Sequence, residues 1–138
     1  MLYLGHYTSS YWNKYMKVSI HIITYNHENF IAQAIESILM QQVNFEYEIV
    51  IGDDCSTDNT LNIVMQYYHK HPDKIRVIFN ETNIGPIKND MQVLKACSGD
   101  YIASLEGDDF WTSPFKLQKQ ADYLDANPDS AACFHPIL

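Results

Sequence analysis

A chain of 138 residues, 46% hydrophobic and 19% charged, is long enough for one domain with a core and too apolar to remain disordered. Its net charge of -8 excludes non-specific nucleic-acid binding, which needs clustered positive charge. It does not exclude a phosphate-bearing ligand, because a metal ion can supply positive charge locally.

No apolar run approaches the length needed to span a bilayer. Residues 1–16 lack the charged start and continuous apolar centre of a signal peptide. They hold Tyr3, Tyr7, Tyr11, Trp12 and Tyr15, and read as an aromatic arm. The arm packs on the domain, is left from a neighbouring segment, or offers a contact surface to a partner or membrane face. Residues 17–138 read as the domain.

Val18-Ser19-Ile20-His21-Ile22-Ile23 is β-branched and bounded by polar residues, the pattern of a strand. Ile31, Ala34, Ile35, Ile38 and Leu39 then fall on one face of a helix. Residues 48–52 read as a second strand. Leu61, Val64, Met65 and Tyr68 repeat the helical spacing before Pro72. Residues 75–79 are a third strand. Gly85-Pro86 opens a third helix, with Ile87, Met91 and Leu94 expected inward. Tyr101 to Leu105 is a fourth strand, and Ser113-Pro114 starts a helix through Leu117, Ala121 and Leu124. Ser130 to Phe134 is expected as a fifth strand.

This alternation predicts an α/β fold: a mostly parallel open sheet with helices on both faces. Right-handed crossovers put every strand-to-helix loop at one end of the sheet, where such folds bind ligands. Three polar loops should therefore share a crevice: Thr24-Tyr25-Asn26-His27, Asp53-Asp54-Cys55-Ser56-Thr57-Asp58 and Glu106-Gly107-Asp108-Asp109. Ser56, Thr57 or Asp58 can cap the following helix. Asp53 and Asp54 remain available to accept a pyrimidine imide N–H or ribose hydroxyls, with Thr24 and Tyr25 flanking the base. Carboxylates crowded as in the third loop repel unless they are solvated or hold a cation. Hard oxygen ligands on a turn suit Mg2+ or Mn2+. The sequence has neither a GxGxxG nor a GxxxxGK[ST] loop, so a diphosphate would need such an ion. Cys55, Cys97 and Cys133 show neither a disulfide framework nor a zinc spacing, which suits a reducing, cytoplasmic setting.

Four stretches together carry a family resemblance. Val18 to Asn26 resembles the opening strand of family 2 glycosyltransferases. Ile49 to Asp58 resembles their DDxSxD nucleotide loop, Asn83-Ile84-Gly85-Pro86-Ile87-Lys88-Asn89 the segment opening their third helix, and Gly99 to Asp109 the approach to their DxD metal motif. The resemblance implies the GT-A fold and its nucleotide-sugar-binding half. It implies transfer of sugar from a nucleotide-sugar donor, by preference a UDP-sugar, to a glycan or lipid-linked acceptor hydroxyl, with inversion. By position, Thr24, Tyr25, Asn26, Asp53, Asp54, Lys88, Asn89 and Asp108 would bind the donor, and Asp108, Asp109 and Glu106 the metal, Mg2+ or Mn2+. Glu106 departs from the commoner Asp. The acceptor site and catalytic base belong to the family's later half, downstream of this segment. The resemblance also implies bacterial polysaccharide biosynthesis, with peripheral association at the cytoplasmic face of the membrane. The competing readings are a non-catalytic or truncated nucleotide-binding module, and a phosphotransfer enzyme. For the latter, no lysine is placed to pair with a phosphoryl group.

Overall fold

The computed structural model describes residues 15–134. The aromatic arm expected over residues 1–16 therefore lies outside the described residues, apart from its last two. Of these, Met16 is buried and Tyr15 is exposed, its hydroxyl donating to Asp100.

Four strands alternate with four helices: β1 (Val18–Thr24), α1 (Ile31–Leu39), β2 (Tyr47–Asp53), α2 (Thr60–Lys70), β3 (Ile75–Phe79), α3 (Pro86–Ala96), β4 (Tyr101–Glu106) and α4 (Lys116–Ala126). All pairings are parallel, in the order β3-β2-β1-β4. The chain lays strands outward from β1 to β3, then crosses back to place β4 on the other side of β1. Strand order reverses at β1, and such a reversal opens a crevice beyond the strand ends.

The side-chain period of two divides the sheet cleanly. Val18, Ile20 and Ile22 of β1 and Ile49 and Ile51 of β2 point to one face, where they pack with Ile31, Ala34, Ile35 and Ile38 of α1, Val64 of α2, and Trp111 and Leu117. These α1 residues are the ones that the helical spacing selects. Burying each such Ile contributes roughly 1.5–3 kcal/mol, so this face dominates stability.

The opposite face carries Ser19, His21, Glu48, Val50 and Gly52 and is covered by α3. Here the expected inward set is corrected. Ile87, Met91 and Leu94 are exposed, whereas Asn89 and Val93 are buried. The cause is polar and steric. Asn89 Nδ2 donates to the Gly52 carbonyl at 2.9 Å, and Val93 lies where a Cβ on residue 52 would be, 2.3 Å from its Cγ2. Glycine is required at this contact, and the close approach turns the helix's apolar stripe outward.

The amino end of the sheet is tied by a second polar device. Glu48 has no exposed surface. Its Oε1 accepts from Ser19 Oγ (2.6 Å), Ser98 N (2.7 Å) and Ser98 Oγ (2.7 Å), and its Oε2 from Arg76 Nη1 (3.1 Å). One carboxylate thus joins β1, β2, β3 and the turn before β4. Burial pushes its pKa up, but these hydrogen bonds prevail and hold it below the ordinary 4.5.

The expected fifth strand over Ser130–Phe134 does not form. Residues 131–134 have no strand partner and, together with β4 and α4, line a groove of about 800 Å3 along the free edge of β4. Strand propensity without a ladder partner leaves a segment irregular. The three cysteines are free. Among the described residues no helix is long and apolar enough to cross a membrane.

Candidate functional site

The three polar loops do meet. Each of β1, β2 and β4 runs to the same end of the sheet, and the first backbone groups past their ends are bonded together. Asp54 N donates to Thr24 O at 3.0 Å, and Gly107 N to Ile23 O at 3.1 Å. The first two loops then interlock through side chains. Asn26, in left-handed backbone at φ 55°, presents Oδ1 to Thr57 N at 2.8 Å while its own N–H donates to Ser56 Oγ at 3.0 Å. Asparagine tolerates this backbone better than most residues.

The second loop is internally organised. Asp53 is fully buried and accepts from Ser56 N (3.0 Å) and Ser56 Oγ (2.5 Å). Asp58 Oδ1 takes the Thr60 amide at 2.9 Å at the start of α2, the capping role expected in this loop, while Oδ2 accepts from Glu28 N at 3.1 Å. Burial raises the Asp58 pKa, and the hydrogen bonds from Thr60 and Glu28 outweigh it and hold the carboxyl below its usual range.

Asp54 is nearly buried and faces the start of α3. Its Oδ1 accepts from Asn80 Nδ2 (3.0 Å) and Ile84 N (2.9 Å), and its Oδ2 from Gly85 N (2.8 Å). Asn89 is likewise turned onto the sheet, its Oδ1 within 3.3 Å of Asn80 Nδ2. Asp53, Asp54 and Asn89 are thus buried and held by the chain itself, and Thr24 is buried as well. Tyr25, Asn26, Lys88, Glu106, Asp108 and Asp109 are the expected site residues left open to solvent. Asn80, which links Asp54, Asn89 and Gln92, was not singled out from sequence. Its position directly after a strand was the available signal.

Glu106 is the last residue of β4, continuing the outward row of Ile102 and Ser104, while Asp108 and Asp109 follow a turn closed by Asp109 N to Glu106 O at 3.1 Å. Among the described residues no three His, Cys, Asp or Glu side chains gather as a metal-binding group. The three expected carboxylates therefore do not form a preassembled three-ligand group. A smaller seat fits the donor set. Mg2+ is commonly held by one or two carboxylates and completed by water and substrate phosphates. Asp108 and Asp109 are exposed hard-oxygen ligands, and no described Lys or Arg forms an ion pair with them. The ion pair that reaches this turn is His27 Nε2 to Asp108 Oδ2, at 4.0 Å.

A parallel sheet with polar loops interlocked beyond its strand-order reversal is an α/β domain whose candidate site lies at the carboxyl ends of the strands. The family model for glycosyl transferase family 2 matches residues 19–137. The chain belongs to that family.

It is 44% identical over 120 residues to the uncharacterised protein Rv1520 of Mycobacterium tuberculosis, a match covering 87% of this chain and 35% of the relative. It is 38% identical over 112 residues to the poly(ribitol-phosphate) β-N-acetylglucosaminyltransferase TarS of Staphylococcus aureus, covering 80% of this chain and 19% of TarS. A crystal structure of TarS residues 1–349 in complex with UDP superposes with a TM-score of 0.72 at 33% identity, over 82% of this chain and 33% of that one. The mannosyltransferase PcManGT of Pyrobaculum calidifontis, in complex with GDP-Man and Mn2+, shares the fold with a TM-score of 0.71 at 22% identity, over 80% of this chain and 33% of that one. The chain spans about a third of the length of the first curated relatives it matches. Its fold is the α/β architecture of GT-A glycosyltransferases.

Proposed function

We propose that this chain is the sugar-donor half of a glycosyltransferase. It binds a nucleoside diphosphate sugar, with UDP as the nucleotide, for transfer to a glycan or lipid-linked acceptor hydroxyl with inversion. The observation that carries this reading is the convergence of the three loops: a buried, interlocked wall beside an exposed acidic turn. Solved structures of TarS hold UDP and UDP-GlcNAc, which supports UDP as the nucleotide here.

Each residue then has a task. Thr24 and Tyr25 flank the base. A carboxylate has about four acceptor sites, and Asp54 has three donors on it, so one site remains for an imide N–H. Asp53 fixes the loop toward the ribose. Asn26 locks the base-side loop, Asn89 anchors α3, and Lys88 beside it offers an exposed ammonium to the nucleotide. Asp108 and Asp109 hold Mg2+ or Mn2+, with Glu106 contributing charge at the strand end. When bound, that ion supplies Lewis-acid stabilisation of the departing diphosphate. Anchoring the nucleoside half restricts the donor to one geometry. The acceptor site and the general base come from outside this segment, and the setting is the cytoplasmic face of the membrane.

Calorimetry with UDP, in the presence and absence of Mn2+, tests the proposal. Wild-type protein is expected to bind UDP at least tenfold more tightly with Mn2+. The double variant Asp108→Asn/Asp109→Asn should lose that gain while keeping its melting temperature. Unchanged ion-assisted affinity in the double variant would sink the metal assignment, and no UDP binding by the wild type would sink the donor reading.

A further inference from the structure

The base-side loop and the acidic turn meet at one imidazole to which the donor reading gives no task. His27 is pinned by its backbone at three points. Its N–H donates to Thr60 Oγ1 at 2.8 Å, and its carbonyl accepts from Phe30 N and Ile31 N, both at 2.9 Å, at the start of α1. Its ring is pinned at Nδ1, which lies 3.2 Å from Thr24 Oγ1. The other ring nitrogen, Nε2, faces Asp108 Oδ2 at 4.0 Å.

The acidic turn is shaped around this pair. A Cβ on Gly107 would fall 2.7 Å from His27 Nδ1 and 2.7 Å from Thr24 Oγ1. Neither contact is tolerable, so the turn can lie against the imidazole only because residue 107 has no side chain. The Gly107 N–H is in turn held by Ile23 O. Asp108 follows directly, and the one Lys, Arg or His nitrogen found within 4.0 Å of its carboxylate among the described residues is His27 Nε2.

We infer that His27 is the positioning residue for Asp108, an inference that rests on the donor reading above. At hydrogen-bond length a carboxylate, which accepts and cannot donate, selects the tautomer that carries hydrogen on Nε2. Nδ1 is then an acceptor, and the Thr24 hydroxyl donates to it. The chain Thr24 to His27 to Asp108 hands the fixed geometry of β1 to a carboxylate on an exposed turn. An approach of about 1 Å would bring the 4.0 Å contact to hydrogen-bond length. That closure leaves one Asp108 oxygen held by His27 and the other free to bind the ion. Partners of this kind, which orient metal ligands from behind, typically affect metal affinity 10- to 100-fold, so roughly tenfold is expected at this exposed turn.

Two measurements test the role. The first is the long-range 1H–15N NMR pattern of His27. Wild type should show the Nε2–H tautomer, and Asp108→Ala should shift the pattern toward tautomer exchange. An Nδ1–H tautomer, or a pattern indifferent to Asp108→Ala, would overturn the inference.

The second is UDP calorimetry on His27→Ala and His27→Gln, with and without Mn2+. His27→Ala should lose about tenfold in Mn2+-assisted affinity and less than twofold without the ion. His27→Gln, which keeps an N–H at similar reach, should recover most of the loss. Equal losses with and without Mn2+ would reduce His27 to a loop-folding residue and overturn its link to Asp108. If wild type bound no UDP, the donor reading would fail, and the tautomer measurement alone would decide the pairing.

Discussion

The two ends of the sheet use carboxylates in opposite ways. At the amino end, Glu48 is fully buried and takes four hydrogen bonds from Ser19, Ser98 and Arg76. At the carboxyl end, Asp108 and Asp109 are exposed, and among the described residues the side-chain nitrogen that approaches them is His27 Nε2, 4.0 Å from Asp108. Both are acidic and both sit at strand ends. A carboxylate whose lone pairs the chain itself fills is architecture, and one left open among like charges is a place for something from outside. Asp54 stands between these cases, nearly buried and with three of its own donors.

Removing Glu48 should have the largest effect on stability. Glu48→Ala takes the shared acceptor away from the hydroxyls of Ser19 and Ser98 and removes one acceptor each from Arg76 and the Ser98 amide, which keep the Ala96 carbonyl and Ser19 Oγ. We expect a loss of about 3 kcal/mol by chemical denaturation, at the low end for a broken buried pair because Arg76 is partly exposed. The Asp108→Asn/Asp109→Asn protein in the same assay should stay within about 0.5 kcal/mol of wild type. Comparable losses from the two variants would erase the contrast.

The next effect in size tests the polar seating of α3. Gly52→Ala puts a methyl 2.3 Å from Val93 Cγ2 and 2.8 Å from Asn89 Oδ1. Overpacking of this kind costs about 2 kcal/mol. UDP binding should weaken as well, since Asn89 and the Asn80–Asp54 contacts shift with the helix. A variant with wild-type stability would mean that α3 is less tightly seated than its contacts indicate.

The smallest effect is on pH dependence. The Glu48 pKa is lower in the folded than in the unfolded chain. Its contribution is therefore fully present above the ordinary carboxylate range and is lost as pH falls through the depressed folded value. Melting temperature followed from pH 7 downward should fall in wild type, and the fall should be shallower in Glu48→Gln, which cannot titrate at that site. Parallel curves would show that Glu48 contributes nothing to acid sensitivity.

Most of the sheet and its main helical face was legible because it follows simple periods. β-branched runs marked β1 to β3, and the spacing of Ile31, Ala34, Ile35 and Ile38 marked the buried face of α1. The strand-to-helix loops then followed from topology, and with them the residues of the site. What was hidden depends on partners distant in sequence. Nothing near Ile87 signals that Asn89 will take the inward position, because the reason lies at Gly52, 37 residues away. Glu48 looks like an ordinary strand residue until Ser98 is placed beside it. Ser130–Phe134 has the composition of a strand but no neighbour to complete a ladder. Glu106, Asp108 and Asp109 were legible as a cluster in sequence, but not that they form no preassembled metal group, since that depends on the turn that follows β4.

The reversal of strand order at β1 has a consequence for how such a domain can change. The hollow above the sheet is produced by the route of the chain, so it exists before any side chain lines it. On the donor reading proposed above, substitutions at 24–26 and 53–58 would retune which base is accepted while the β-ladder stays as it is. Specificity and scaffold are then separable by construction, and a new substrate preference can arise without refolding the protein that hosts it.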